Sequence, residues 1–154
     1  MEGFISFSNI AELRSLLGPL SADTPAVWGK MSAQHMLEHL MLPLQIAMGK
    51  FEVEQVISPE KVEKVKRLML LGEAPLRRDF VAPFLGDDLQ QLQYANIKLA
   101  KEALLQEVES FIKYAEARPQ LLHTHPIFGL LNKTEWFLFQ NKHFTHHFTQ
   151  FGLL

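Results

Sequence analysis

The chain has 154 residues and a formal net charge of −2, and 47% of its residues are hydrophobic, which suits one globular domain with its own core. The small negative charge argues against nucleic acid as the main partner, because phosphate binding needs a basic face. The absence of cysteine excludes disulfides and thiolate ligands, so any metal would be held by imidazole, carboxylate, amide or water, which suits Zn, Ni, Fe or Mn.

No part of the sequence is typical of export or of membrane insertion. The first residues lack a basic region followed by an apolar stretch, which a secretion signal would require. The longest apolar stretch, 40–48, contains Pro43 and Gln45 and is too short to cross a bilayer. We therefore expect a cytoplasmic protein in which residues 1–154 form a single helical domain that does not bind membranes.

Helical periodicity dominates the chain, and the alternation typical of strands is nearly absent. A short helix is expected to begin after Ser8 and to end at Gly18. Ser32 is a favourable N-cap for a second helix that runs to about Gly49. This second helix is apolar on most sides, so we expect it to be central and buried.

Two further helices and two long loops follow. A third helix is predicted from Ser58-Pro59, an N-cap and a first-turn proline, to about Leu71. The segment 72–86 contains two prolines and is predicted to be a long loop of functional importance. A long amphipathic helix is expected over 87–117, and a second loop over 118–131.

The last helix is predicted to begin after Asn132, because Glu135 three residues later completes a capping-box pattern. Four long helices joined by loops make an all-α four-helix bundle the expected fold. At about 100° per residue, the last helix carries a polar stripe of Trp136, Gln140, His143, His147 and Gln150. A row of phenylalanines lies beside this stripe, which should therefore meet the core. The remaining polar residues, expected to face water, are Asn141, Lys142, Thr145 and Thr149.

Two histidines of the polar stripe predict a metal site. His143 and His147 are four residues apart, so both imidazoles lie on one helix face and can chelate one ion. A third ligand must come from elsewhere, and His39 in the buried second helix is the best candidate. His35, in the first turn of that helix, is more simply an ordinary first-turn residue. A pair of structural histidines satisfied by carbonyls or carboxylates remains an alternative.

Other candidate residues have simpler interpretations. His123 and His125 could be extra ligands, but His125-Pro126 more readily predicts a fixed loop conformation beneath the site. His146 lies off the stripe and is expected behind the ligands or at the surface.

The long loop 72–86 offers further polar groups. Glu73 and Asp79 could reach the site as a general base. Arg77-Arg78 could clamp a carboxylate or phosphate, although a basic pair in a loop is more often only solvated.

Two segments resemble the signatures of the DinB/YfiT-like metalloenzymes. The first is Trp28-x-x-Met31-Ser32-x-x-x-Met36-x-x-His39-Leu40. The second combines His125-Pro-Ile-Phe-Gly129, Glu135-Trp136 and His143-x-x-His146-His147-x-x-Gln150, and it is similar to an uncharacterised branch of that family with His-Pro-x-Phe-Gly. The common family ending His-Arg-Gly-Gln is here His147-Phe-Thr-Gln150, so Phe148 replaces the arginine and any role of that cation is in doubt.

The resemblance implies an up-down-down-up four-helix bundle with a metal triad of His39, His143 and His147. It also implies a thiol S-transferase or hydrolase that uses a divalent metal and a low-molecular-weight thiol. We therefore expect a metal-dependent enzyme acting on a small molecule, in which Gln150 orients a ligand or a metal-bound water.

Two alternatives to the enzyme remain open. The first is a non-catalytic small-molecule-binding or stress-response module with a vestigial metal site. The second is a structural homodimer with the histidine stripe at the subunit interface. A homodimer is also expected for the enzyme, because the phenylalanine-rich last helix could supply an apolar interface.

Overall fold

The computed structural model describes residues 3–78 and 89–154, and it combines helices with a small sheet. The helix Pro59–Val65 continues directly into a π-helical turn, Lys66–Leu70. The helices are α1 (Ile10–Leu17), α2 (Ala33–Ala47), α3 (Pro59–Val65), α4 (Ile97–Glu116) and α5 (Lys133–Gln150). The strands are β1 (Leu122–His125) and β2 (Gly129–Asn132).

The prediction of an all-α, up-down-down-up four-helix bundle is wrong. The described residues form five helices and a two-stranded antiparallel sheet, so the fold is mixed. Segment 118–131, predicted to be a loop, contains most of both strands, with Leu122 opposite Asn132 and His125 opposite Gly129. Four-residue strands are too short for their alternation to stand out from a loop in the sequence.

A histidine side chain holds the turn between the two strands. Nδ1 of His125 accepts hydrogen bonds from the backbone N–H groups of Ile127 (3.1 Å) and Phe128 (3.3 Å). The buried His125 ring also stacks on Phe128, with 4.8 Å between ring centroids. The His125-Pro126 pair therefore has the fixed conformation predicted for it, but within a hairpin turn.

Local capping signals predicted where two of the helices begin. Ser32 caps α2 by accepting a hydrogen bond from the backbone N–H of His35 at 3.1 Å. Asn132 and Glu135 form the predicted capping box at the start of α5. In contrast, α4 begins at Ile97 after the N-cap Asn96, ten residues later than predicted. Residues 79–88 lie outside the described residues. They include most of the predicted loop and the predicted start of α4.

Helix α2 is the centre of the core, as its apolar composition predicts. It packs against α4, α5 and β1. Its fully buried hydrophobic residues are Ala33, Met36, Leu37, Leu40, Leu44 and Ala47. The α2–α5 contact brings together residues that are far apart in the sequence.

The face of α5 that was expected to face water is covered by the N-terminal segment. The backbone N–H of Ile5 donates to Oγ1 of Thr145 at 3.0 Å, and that of Phe7 donates to Oδ1 of Asn141 at 2.9 Å. The Phe7 ring is fully buried. An amphipathic pattern marks a polar face but cannot show that another segment's backbone uses those polar groups.

Lys142 is the clearest departure from the expected solvent face. Its side chain is fully buried, and Nζ donates hydrogen bonds to the carbonyl oxygens of Met69 (3.1 Å), Gly72 (2.5 Å) and Ala74 (2.9 Å). One ammonium group therefore satisfies three carbonyls at and beyond the end of the π-helical turn. It attaches this segment to α5 one residue before His143.

Among the residues that the structure describes, no helix is long and apolar enough to cross a membrane.

Replacing Lys142 by methionine should lower the free energy of unfolding by about 2–4 kcal/mol, because the carbonyl cluster loses its donor while the apolar stem is kept. Urea unfolding followed by circular dichroism measures this. Lys98→Met is the matched control, because Lys98 is exposed on α4 and its loss should change stability by about 0.5 kcal/mol at most. Equal effects of the two substitutions would contradict the role assigned to Lys142.

Candidate metal centre

Three histidines meet where α5 packs against α2. Nε2 of His143 lies 3.0 Å from Nε2 of His39 and 3.2 Å from Nε2 of His147. His143 and His147 are buried, whereas His39 is partly exposed. One nitrogen of each ring lies within 4.8 Å of the others, so the three predicted residues come together and could hold a metal ion.

The spacing of these nitrogens is close to that of a zinc site. Zn–N distances of about 2.0–2.1 Å in tetrahedral geometry place ligand nitrogens about 3.3–3.4 Å apart. The two measured separations of His143 from its neighbours are 3.0 and 3.2 Å. For these two pairs, the rings would need to separate by only a few tenths of an ångström to reach the spacing of zinc ligands.

Gln150 determines which nitrogen of His147 carries the proton. Nε2 of Gln150 donates to the backbone carbonyl of Trp28 at 2.9 Å, so its Oε1 faces Nδ1 of His147 at 2.7 Å. An amide oxygen can only accept, so Nδ1 of His147 is the protonated nitrogen. The neutral ring therefore presents an unprotonated Nε2 to the other histidines, which is the form that binds a metal.

Gly29 makes the Gln150 contact possible. Its φ of +83° lies in the region that favours glycine. A Cβ added there would lie 2.8 Å from Nε2 of Gln150, so a side chain would push Gln150 away from Trp28. This residue was not singled out from the sequence, although it directly follows Trp28.

The environment of His143 is aromatic and incompletely hydrogen-bonded. Its ring stacks on Phe139, with 5.0 Å between centroids, and its buried Nδ1 has no hydrogen-bond partner in the described ranges. One turn earlier, both amide atoms of buried Gln140 also lack a partner there. Each buried polar group without a hydrogen-bond partner lowers the stability of the fold by roughly 1–3 kcal/mol. Unsatisfied groups of this kind are often found at functional sites.

Burial keeps the three imidazoles uncharged at neutral pH. Desolvation, with a smaller contribution from His146, lowers the pKa of His39 to about 4. Desolvation also holds the pKa values of His143 and His147 well below the usual 6.5, and neighbouring histidines lower them further. Neutral imidazoles are metal ligands, so the site does not have to lose protons before it binds an ion at pH 7.

The triad lines a cavity of about 820 Å³, which is within the size range of about 300–1,000 Å³ for small-molecule sites. Six apolar side chains that line it, called the apolar wall here, are Met41, Leu42, Ile46, Phe51, Ile127 and Phe139. Trp28, Lys30, Glu38 and Arg78 also line the cavity. The open side of the triad therefore faces a space suited to an organic molecule.

A free general base is not evident in the described part of this cavity. Glu38 lines it, but Oε1 of Glu38 accepts from the backbone N–H of Gln93 (2.5 Å) and Oε2 accepts from Nε2 of Gln34 (3.0 Å). Glu73 does not line the cavity, and Asp79 lies outside the described residues. The carboxylate of Glu38 therefore holds chain segments in place.

The other histidines occupy supporting positions. Nδ1 of His35 lies 2.6 Å from Oγ of Ser32, in the first turn of α2, and the ring borders the cavity. His146 also borders the cavity, and its Nδ1 lies 3.3 Å from the carbonyl of Leu76. His123 is away from the triad, with Nε2 2.9 Å from the hydroxyl of Tyr114.

The comparison with protein families gave one match. A family model described as "Protein of unknown function (DUF1569)" matches residues 6–152. No curated protein and no solved structure matches the chain significantly.

The buried histidines predict that the metal-free protein loses stability in mild acid. The folded-state pKa values of His39 and His125 are lowered to about 4 and about 3 from 6.5. Their stabilising contribution is therefore complete above the unfolded-state value and is lost as the pH falls below it. Between pH 7 and pH 5 each should contribute a loss of about 2 kcal/mol.

Urea unfolding with a chelator present at both pH values measures this loss. The His39→Asn variant lacks one of these groups, so its loss should be smaller than that of the wild type by about 2 kcal/mol. An identical pH dependence in the two proteins would contradict the burial-lowered pKa of His39.

Proposed function

We propose that this chain, which belongs to the DUF1569 family, is a divalent-metal-dependent enzyme that acts on a small organic molecule by hydrolysis or thiol transfer. The observation that carries the proposal is the convergence of three neutral imidazole nitrogens, from His39, His143 and His147, at the wall of a cavity. The tie between His147 and Gln150 supports it, because metal-binding histidines almost always use their second nitrogen in this way.

The donor set fits a catalytic rather than a structural ion. Structural zinc sites are closed by four protein ligands, whereas catalytic sites have three and leave a position for water or substrate. Three protein donors come together here, and their open side faces the cavity. Neutral nitrogen donors suit zinc, and also nickel, iron or manganese.

A bound divalent ion would supply Lewis acidity, which lowers the pKa of a water or thiol that it contacts and so favours a nucleophile near pH 7. The chain's own residues would do the remaining work. Gln150 orients His147, and the apolar wall excludes water from the reacting groups. Because the chain has no cysteine, the thiol in a transfer reaction would come from a small molecule.

The resemblance to the DinB/YfiT-like metalloenzymes supports the choice of these two reaction types and remains a prediction. A homodimer and a cytoplasmic location also remain predictions. In the alternative of a non-catalytic binding module, the cavity would hold a small molecule and chelators would leave that binding unchanged.

Metal content is the direct test. Tag-free protein reconstituted with zinc should contain close to one zinc ion per chain, measured by elemental mass spectrometry after dialysis. His39→Asn should lose it, because two imidazoles leave the ion too weakly held. His35→Asn is the matched control, since His35 lies one turn earlier on α2 and contacts Ser32.

Equal zinc contents in the two variants would rule out the proposed centre. So would a wild-type protein that binds neither zinc nor, in further trials, nickel, iron or manganese. If the wild type alone retains the ion, ester hydrolysis and thiol transfer to an electrophilic dye should both be assayed. At least one activity should appear, and a chelator should abolish it.

Gly29→Ala should weaken zinc binding without removing any ligand. The added Cβ would displace Gln150 and release Nδ1 of His147, and the loss of such an orienting contact typically lowers metal affinity about 10–100-fold. Competition with a chromogenic zinc chelator measures the affinity.

Gly152→Ala separates this effect from backbone strain. Gly152 also has a positive φ, +68°, but a Cβ there has no neighbour within 4 Å among the described residues. This variant should lose stability but keep its zinc affinity. Equal zinc affinities in the two variants would show that the Gln150 contact does not support the site.

A further inference from the structure

Positively charged side chains outnumber negatively charged ones among the described residues that line the cavity. Lys30 and Arg78 both line it, and neither forms an ion pair with a residue in the described ranges. Glu38 is the only carboxylate that lines the described cavity. Both of its oxygens already accept hydrogen bonds from Gln93 and Gln34, so among the described lining residues the net charge offered to a ligand is positive.

Arg78 is held at the cavity by an aromatic ring. Its guanidinium carbon lies 4.2 Å from the centroid of the Trp28 ring, a cation–π contact that positions the group without consuming its N–H donors. Arg78 is exposed, so those donors are accessible at the rim. A guanidinium group binds a carboxylate through two parallel hydrogen bonds.

Part of the remaining lining suits an apolar body. Met41, Ile46 and Phe51 line the cavity together with Phe139, whose ring stacks on that of His143. A molecule with one end at Arg78 would therefore extend over apolar side chains towards the triad. Pockets of this composition take ligands that are mostly apolar and are oriented by a few polar groups.

We propose that the ligand of this cavity is an amphipathic organic carboxylate, whose carboxylate group binds Arg78, with Lys30 nearby, and whose apolar body lies along the wall that ends at the triad. The inference deepens the proposed function by naming the class of substrate. Only the reaction of this ligand depends on the proposed function. Its binding depends on Arg78 and the apolar wall.

The test is calorimetric titration of the protein with octanoate and with 1-octanol, which share an alkyl chain and differ in the head group. Titrations are made on chelator-treated and on zinc-reconstituted protein. Octanoate should bind more tightly than octanol in both. Arg78→Gln should weaken octanoate binding at least about tenfold and leave octanol binding unchanged.

Arg77→Gln is the matched control. It removes the same charge one residue earlier, from a side chain that does not line the cavity, and should leave octanoate binding near the wild-type value. Thermal unfolding of the variants confirms that they fold, which is expected because both arginines are exposed.

Three results would overturn the inference: no octanoate binding, equal binding of octanoate and octanol, or octanoate binding that is insensitive to Arg78→Gln, with or without zinc. Insensitivity to Arg78→Gln combined with a need for zinc would place the carboxylate on the ion. Failure of the proposed function would give a different result. A protein that takes up no metal but binds octanoate through Arg78 would support the carboxylate site and contradict only the metal chemistry.

Discussion

The desolvation of three imidazole rings is the constraint on which the site depends. In water each ring would be protonated part of the time, and three positive charges at these separations would repel one another strongly. Packing between α2 and α5 removes water and lowers the pKa values of His39, His143 and His147, so the rings can approach as neutral groups. Within the described residues, no carboxylate joins the cluster.

This arrangement has to be held in place from outside, because neutral rings do not attract one another strongly. Gln150 fixes His147, Phe139 stacks on His143, and Lys142 attaches the chain after the π-helical turn to the same helix. On the far side of α5, the N-terminal segment occupies the polar groups that a solvent-facing helix would give to water. Helix α5 is therefore fixed on both faces.

Local features of the fold could be predicted from the sequence, and long-range ones could not. Ser32 and Asn132 act on the first turn that follows each of them, and His143 and His147 share a face because of their spacing alone. His39 was chosen as the third residue because α2 was expected to be buried, but burial alone does not place it beside α5.

The β1–β2 hairpin was missed because its strands are four residues long and its turn is made by a histidine side chain, which is an uncommon turn signal. Lys142 was misjudged for a different reason. Its surroundings are formed by Met69, Gly72 and Ala74, which are far from it along the chain. Charge predicts exposure only when no distant segment offers enough acceptors.

The hydrogen bonds from Trp28 through Gln150 to His147 join the rim of the cavity to the triad. Thermodynamic coupling between two sites is reciprocal. An ion at the triad would therefore order the loop that carries Trp28, and any molecule that fixes Trp28 would raise the affinity for the ion by the same factor. Ion and organic ligand would then be positive effectors of each other, because each would raise the affinity for the other.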